Sequence, residues 1–428
     1  MTKRLDHFLI SESLMEQQHF IRQSVGCGGR SDHLPIFFEY RTSPVRPPSP
    51  LKFNKTWLKD ESIRNLILTN WVPYNPASQL TTPLQFADIF SRLKGLIKKW
   101  AGEKRRREDL ELRHIEKDIF NIMDLEGGGY MNQDSKNTLV RLQSRRNTIL
   151  LEMEETWRLK SRAIWLECGD ENTNFFHSYA RGRKALNTIW SLENSLGRRL
   201  ESFEDLAGLG VEHFQQLFWA PEGAQLVEIM RITQVFPRFV GQEENLLLME
   251  EVLEEELKLA LQSFQKDKSP GPDGWTIEFF TELYDLLGDE ILKVVQHTRL
   301  SGRIPACFNS TFITLIPMMD NPKNLHDFRP ISLCNCIYKV ISKVVARRLK
   351  DILSEHISAE QFGFLNGRQI HEAIGVAQEG LHSMKTRNLK GAVLKIDLSK
   401  AYDKVSWTFI HMLLIHLGFG IYFVRWIM

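Results

Sequence analysis

KIDLSKAYDKVSW, residues Lys395 to Trp407, makes the strongest chemical claim in the chain. Ala392 to Ile396 is apolar except for Lys395 and rich in branched side chains, and Asn388 to Gly391 reads as a turn before it. That pattern predicts a short buried strand ending at Asp397. A tight polar turn follows, and Ser406 is placed to cap a helix. Trp407, Ile410, Leu413, Leu414 and Leu417 form that helix's apolar face, and Gly418 ends it. A carboxylate at the end of a core strand, facing a turn, is a natural ligand for a hard cation. It is equally a side chain that can cap the turn. The segment alone leaves both readings open.

The 428 residues are enough for two or three domains. With 43% hydrophobic and 25% charged residues the composition is that of an ordinary soluble protein. Net charge is only +2, so affinity for nucleic acid has to come from local basic patches. Cys27, Cys168, Cys307, Cys334 and Cys336 are scattered and form no C-x-x-C pair, which argues against a disulfide scaffold or a zinc site and suits a reducing compartment. No apolar run approaches the roughly 20 residues that cross a bilayer, and the start lacks a signal-peptide pattern.

At the N-terminus, residues 4–10 and 34–40 read as two strands joined by a helical stretch and the turn Gly26 to Gly29. Two strands cannot form a stable domain unaided, so they look like the last piece of something larger. Ser31-Asp32-His33 could supply a general base, with Asp6 orienting the imidazole, or could be a surface loop. The combination RLDHFLIS…SDHLPI resembles the C-terminal end of the exonuclease–endonuclease–phosphatase fold. The resemblance implies that His33 sits at the scissile phosphate, that Asp6 hydrogen-bonds it, and that Asp32 lies beside the metal site. It covers about the first 40 residues. The family's other metal and phosphate ligands have no counterpart in the sequence, so no nuclease activity is expected.

Ser43 to Pro50 is a proline-rich boundary that reads as an extended spacer. Trp57 to Trp165 is mostly helix-compatible, interrupted near Tyr74 and at Gly127 to Gly129. It carries the basic run Lys98, Lys99 and Lys104 to Arg107, with Arg141, Arg145 and Arg146 beyond. Such runs are solvated helix faces or phosphate contacts. Trp157 to Arg183 interleaves basic and aromatic residues, which suits single-stranded nucleic acid and suits an aromatic core with a basic exterior equally well.

From Leu247 the character changes. Leu253, Leu257, Ala260, Leu261 and Phe264 mark an amphipathic helix with an acidic outer face. The loop Lys268 to Gly274 (KSPGPDG) is rigid and non-helical, with Lys268 at its entrance. A helical stretch with Phe279, Phe280, Leu283, Leu286 and Leu287 follows. Residues 312–317 and 328–333 then read as a hairpin with Arg329 near its base. In the next helix Ile337, Val340, Ile341, Val344 and Val345 give an apolar face, while Lys339, Lys343 and Arg347 recur at i, i+4 and i+8. A basic stripe opposite a buried face suits a helix lying on a phosphate backbone, or a solvated surface. A glycine-bearing loop, Gln361 to Phe364 with Gly367-Arg368, precedes another helix.

KSPGPDG, LIP…FRPISL, QFGFLNGRQIHEAI and KIDLSKAYDKVSW resemble, in order, consecutive blocks of a reverse transcriptase of the plant-like non-LTR (long interspersed element) retrotransposon type. KSRAIWLECGDENTNFFH is similar to the segment joining endonuclease to polymerase in those elements. The resemblance implies Asp397 as the first catalytic magnesium ligand, with the Leu398 carbonyl adding a contact. It implies Tyr402 as the residue screening the sugar 2′ position and Arg329 as a contact to the incoming triphosphate. Lys339, Lys343 and Arg368 would lie along template or primer phosphates, with Lys268 and Arg347 as further nucleic-acid contacts. The chemistry implied is two-metal nucleotidyl transfer, with an RNA template and a DNA primer. Two departures stand out. No Asp-Asp pair occurs in the sequence, so the family's second carboxylate motif is missing, and Met318 stands where lysine is usual.

The expected fold class is α+β. An endonuclease remnant over 1–42 leads to a proline-rich spacer and mainly helical basic linker over 43–246. The fingers and partial palm of a right-hand polymerase occupy 247–428. The chain reads as truncated at both ends and inactive alone, the alternative being a non-catalytic RNA- or DNA-binding remnant or a decayed product. The helix face at Trp407 to Leu417 should lack a partner, and the C-terminal half should be poorly soluble. No membrane association is expected, and the family places the protein inside the cell, in nucleus or cytoplasm.

Overall fold

The computed structural model describes residues 20–25, 36–41, 50–72, 75, 77, 81–125, 132–161, 187–218, 226–363, 365, 367–398 and 401–428. The chain forms two compact units. One comprises Met1–Pro50, Trp157–Gly210 and Ile316–Phe328, the other Leu51–Thr156, Val211–Leu315 and Arg329–Met428.

In the first unit, β1 (Phe20–Val25) pairs antiparallel with β2 (Ile36–Arg41), Phe20 opposite Arg41 and Val25 opposite Ile36. The strand expected over 34–40 is present from Ile36. Within the stretch expected to be a helical link, residues 20–25 are a strand, and residues 11–19 lie outside the described residues. Phe20, Ile21 and Val25 are strong strand formers, and β2 offers them a ladder. The strand expected over 4–10, and with it Asp6, Asp32 and His33, lies outside the described residues. β3 (Leu192–Glu193) and β4 (Arg199–Leu200) make a second small hairpin, and the Glu193 N–H donates to the Lys323 carbonyl.

The second unit has an extensive apolar core. A 3-10 turn, Lys55–Lys59, is capped by Asn54, and α1 (Glu61–Asn70) by Asp60, whose carboxylate accepts from the Ser62 N–H at 2.9 Å. α2 (Thr82–Leu125) is 44 residues long; its first half buries Phe86, Ile89, Phe90, Leu93, Ile97 and Trp100 at helical spacing. Its second half runs antiparallel to α3 (Gln133–Ser161), since Lys104 meets Glu152 and, seven residues on, Glu111 meets Arg145. α4 (Phe203–Phe218), α5 (Leu226–Thr233) and α6 (Gln242–Leu248) lead to α7 (Glu254–Gln262), which buries Leu257, Ala260 and Leu261. Leu253, expected on that face, is the N-cap and is exposed, its place outside the first turn turning it from the core.

α8 (Ile277–Glu282) and α9 (Tyr284–Ser301) fill the centre with Phe279, Phe280, Leu287, Ile291, Val294 and Val295. Here Trp275 and Phe279 lie 4.4 Å apart, and Phe53 and Phe279 4.9 Å apart, between ring centroids. β5 (Thr311–Pro317) and β6 (Phe328–Cys334) form the expected hairpin. α10 (Cys336–His356) buries Ile337, Val340, Ile341 and Val344; α11 (Ile370–Thr386) follows with no buried residue. After α12 (Ala401–Lys404) come α13 (Trp407–Leu417) and α14 (Ile421–Ile427).

Three expectations near the C-terminus are corrected. Residues 391–398 have no strand structure, and Val393, Leu394 and Ile396 are exposed. A strand needs a ladder, and among the described residues each strand is already used in a two-stranded sheet that excludes this segment. The α13 face does have partners: Leu414 and Leu417 join the core with Val240, Phe419 and Val424, and the Phe239 and Val240 N–H groups donate to the Leu417 carbonyl. Trp407, at the helix start, stays largely exposed. The end signals hold as read, with Ser406 accepting from the Phe409 N–H at 3.3 Å and Gly418 left-handed at φ 101°.

Candidate active site

The Lys268 to Gly274 loop is clasped to the N-terminal end of α10. The Asn335 side chain accepts from the Asp273 N–H at 3.0 Å and donates to the Cys307 and Phe308 carbonyls. Gly271 lies so close to the Cys334–Asn335 backbone that no side chain fits. Gly274 is left-handed, with φ 82°, and its carbonyl accepts from the Phe53 N–H at 2.8 Å. Asp273 accepts from the Trp275 N–H at 3.2 Å. Burial pushes its carboxyl up to about 6, against the opposing pull of that N–H and of Lys94 and Lys339. The sequence reading passed over Asp273, although an acid enclosed by prolines and glycines in a rigid loop was the signal. Burial, with the Asp273 and Glu278 charges adding to it, pushes the Cys336 thiol beside this clasp up to about 12, so it is an inert core group.

The α10 basic ridge is formed as read. Lys339, Lys343 and Arg347 are half-buried, and the Lys343 ammonium stands 5.5 Å from the centre of the Phe264 ring. Arg348, which the sequence reading missed, has a different duty. Its guanidinium meets the Glu256 carboxylate at 2.6 and 2.9 Å, donates to the Leu248, Glu250 and Glu251 carbonyls, and lies over the Trp426 ring. Its signal was a charge at i+4 from Val344 and i+7 from Ile341, on the buried side of the helix.

Arg368 is occupied within the chain. Its guanidinium donates to the Ser354, Ile357, Ser358 and Gln361 carbonyls, closing the end of α10 over the following loop. Lys268 is exposed, and so is Arg329 as the second residue of β6. Asp397 and Leu398 are exposed on the extended segment, and Tyr402 on α12 is 83% exposed. Among the described residues neither Asp397 nor Arg329 takes part in an ion pair, so nothing draws these two together.

Magnesium takes near-octahedral oxygen coordination. Asp397 and the Leu398 carbonyl offer three oxygens at most, and among the described residues no group of three or more His, Cys, Asp or Glu converges anywhere. The described residues therefore do not make a magnesium site, and no catalytic step can be drawn through one here. No helix among them is long and apolar enough to cross a membrane.

Residues 321–425, from the hairpin loop through Asp397 to α14, match the model of the family described as reverse transcriptase (RNA-dependent DNA polymerase). The transposon TX1 uncharacterized 149 kDa protein of Xenopus laevis is 24% identical over 427 residues, 99% of this chain and 32% of that protein. The retrovirus-related Pol polyprotein from type-1 retrotransposable element R2 of Popillia japonica is 24% identical over 167 residues, 39% of this chain and 22% of that protein. The chain thus spans a third or less of the length of these relatives. The family implies a nucleic-acid template and primer, and divalent metal in general. The likeness to the reverse transcriptase family thus rests on residues 321–425, about a quarter of the chain, and the likeness to transposon TX1 extends over nearly all of it.

Proposed function

We propose that this chain grips an RNA template paired to a DNA primer as the fingers and partial palm of an RNA-directed DNA polymerase, without polymerising on its own. On this reading residues 247–428 are the polymerase portion, 43–246 a spacer and linker, and 1–42 an endonuclease remnant. The observation that carries it is the α10 ridge, one helix with its apolar side in the core and Lys339, Lys343 and Arg347 left in a row inside the family match. Arg329 is assigned to the nucleotide triphosphate, Tyr402 to the sugar, and Asp397 to the metal. Arg368, spent on backbone carbonyls, is assigned to holding the α10 end rather than to phosphate. Met318, where the family favours lysine, leaves the hairpin one cation short.

A single exposed carboxylate cannot hold two metal ions, which is the reason for assigning binding without catalysis. Primer extension on a poly-A template with magnesium, comparing the chain with Asp397→Ala, tests this. The expected result is no incorporation by either, together with salt-sensitive binding of the template–primer by both. Incorporation lost only in Asp397→Ala would show that carboxylates are supplied in trans, and the assignment of binding alone would fall.

A further inference from the structure

The outer face of α2 carries a row of cations that enter no ion pair among the described residues. Several other basic residues of this hairpin are used: Arg92 meets Asp88, Lys104 meets Asp60, Glu108 and Glu152, Arg145 meets Glu111, and Arg146 meets Glu116. Lys98, Lys99, Arg105, Arg106 and Arg113 are exposed, and among the described residues none of them is in an ion pair. Lys99, Arg106 and Arg113 recur every seven residues on one ridge, with Lys98 and Arg105 beside the first two. At about 1.5 Å per residue the ridge rises roughly 10 Å per step. The opposite side of the helix is fixed by buried Leu93, Ile97, Trp100 and Ile115, so this face is held outward.

Gly95 and Gly102 lie on the same face, again seven residues apart, and among the described residues, the helix's own backbone and sequence neighbours aside, nothing lies within 4 Å of where a Cβ would stand on either. Glycine is the poorest helix former after proline, and these two relieve no crowding within the chain. They leave a shallow lane between the cations into which an extended backbone can settle.

We propose that this face of α2 is a second nucleic-acid docking surface, which takes the phosphodiester backbone through Lys98, Lys99, Arg105 and Arg106, with Arg113 extending it. It lies on a different element from the α10 ridge and goes beyond the polymerase reading. A mainly basic row that repeats every seven residues along a helix suits the repeating phosphates of a nucleic-acid backbone. A protein partner would call for aromatic or aliphatic anchors at the centre of the patch, and between Lys98 and Arg106 this ridge has none. Asp109 interrupts the row, so its positive charge is densest from Lys98 to Arg106.

The test is fluorescence anisotropy with the full chain, without nucleotide or magnesium, on a labelled RNA duplex, a DNA duplex of the same sequence and single-stranded RNA. The variant is Lys98→Gln, Lys99→Gln, Arg105→Gln and Arg106→Gln together. A control variant, Arg303→Gln, Lys385→Gln, Arg387→Gln and Lys390→Gln, removes the same charge elsewhere. On at least one probe the α2 variant should bind about tenfold more weakly at ~0.1 M salt, with the slope of log affinity against log salt reduced by about one for each phosphate no longer neutralised. The control should keep the wild-type slope, and the probe most affected identifies the backbone taken. An unchanged slope on all three probes would overturn the proposal, as would an equal fall in the control. Since no synthesis is measured, failure of the polymerase reading would leave the result untouched.

Discussion

Asp273 holds its carboxyl in a loop that two prolines and two glycines prevent from opening, and burial pushes that carboxyl up to about 6 from 3.8. Between those values the folded chain keeps a proton that the unfolded chain has released. Stability from this group is full below about pH 4, is lost as pH rises to about 6, and amounts to about 3 kcal/mol. Asp273→Asn should flatten the stability-against-pH curve over that window; a wild-type curve already parallel to the variant's would refute the assignment. At the same scale, Arg368 and Lys343 separate a structural cation from a binding one. Arg368→Gln leaves carbonyls at the α10 end without donors and should cost about 1–3 kcal/mol in urea unfolding, with no change in the salt slope of RNA binding. Lys343→Gln should do the reverse, lowering that slope by about one while the unfolding midpoint stays put. Sequence could not tell the two apart, because both are basic residues beside apolar ones; only the carbonyls converging on Arg368 decide.

Elements show what local signals can and cannot settle. Ser406 and Gly418 mark the ends of α13, and the spacing of Ile337, Val340, Ile341 and Val344 marks the buried side of α10, because caps and helical periodicity are local properties. The strand expected over Ala392 to Ile396 does not form, because a strand is made by its neighbours; branched side chains favour the shape but supply no ladder. Two glycines on two elements give opposite predictions. A Cβ on Gly274 would overlap the Leu51 carbonyl oxygen in a left-handed backbone, so Gly274→Ala should cost about 2–4 kcal/mol and drop the melting temperature sharply. Gly102, exposed mid-helix with open space around it, should gain about 1 kcal/mol as Gly102→Ala. Equal effects of the two changes in thermal melts would contradict both arguments.

At the scale of the molecule, the change of sequence character at Leu247 does not divide the core. Phe53, Ile63, Ile67, Phe86, Phe90, Leu93 and Ile97 pack in the same cluster as Trp275, Phe279, Phe280, Leu287, Val340 and Phe423. The Phe90 ring stacks on Phe280, with centroids 5.6 Å apart, and stands edge-on to Trp275 at 5.1 Å. The expectation of an insoluble C-terminal half therefore acquires a different cause. What a fragment beginning at 247 lacks is not only the cover that Phe239 and Val240 give the α13 face from just upstream, but the whole α1–α2 layer over α8 and α9. Each fully buried aromatic or leucine left bare forfeits about 1.5–3 kcal/mol of burial, and several are bared at once, which exceeds the net stability of a typical domain. Residues 51–428 should then melt in one cooperative transition, with tryptophan fluorescence and far-UV circular dichroism coinciding. Residues 247–428 should aggregate or melt without cooperativity and bind a dye for exposed apolar surface. A soluble 247–428 fragment with a sharp transition would mean that the polymerase portion closes its own core, and that the α1–α2 layer is an ornament on it rather than half of it.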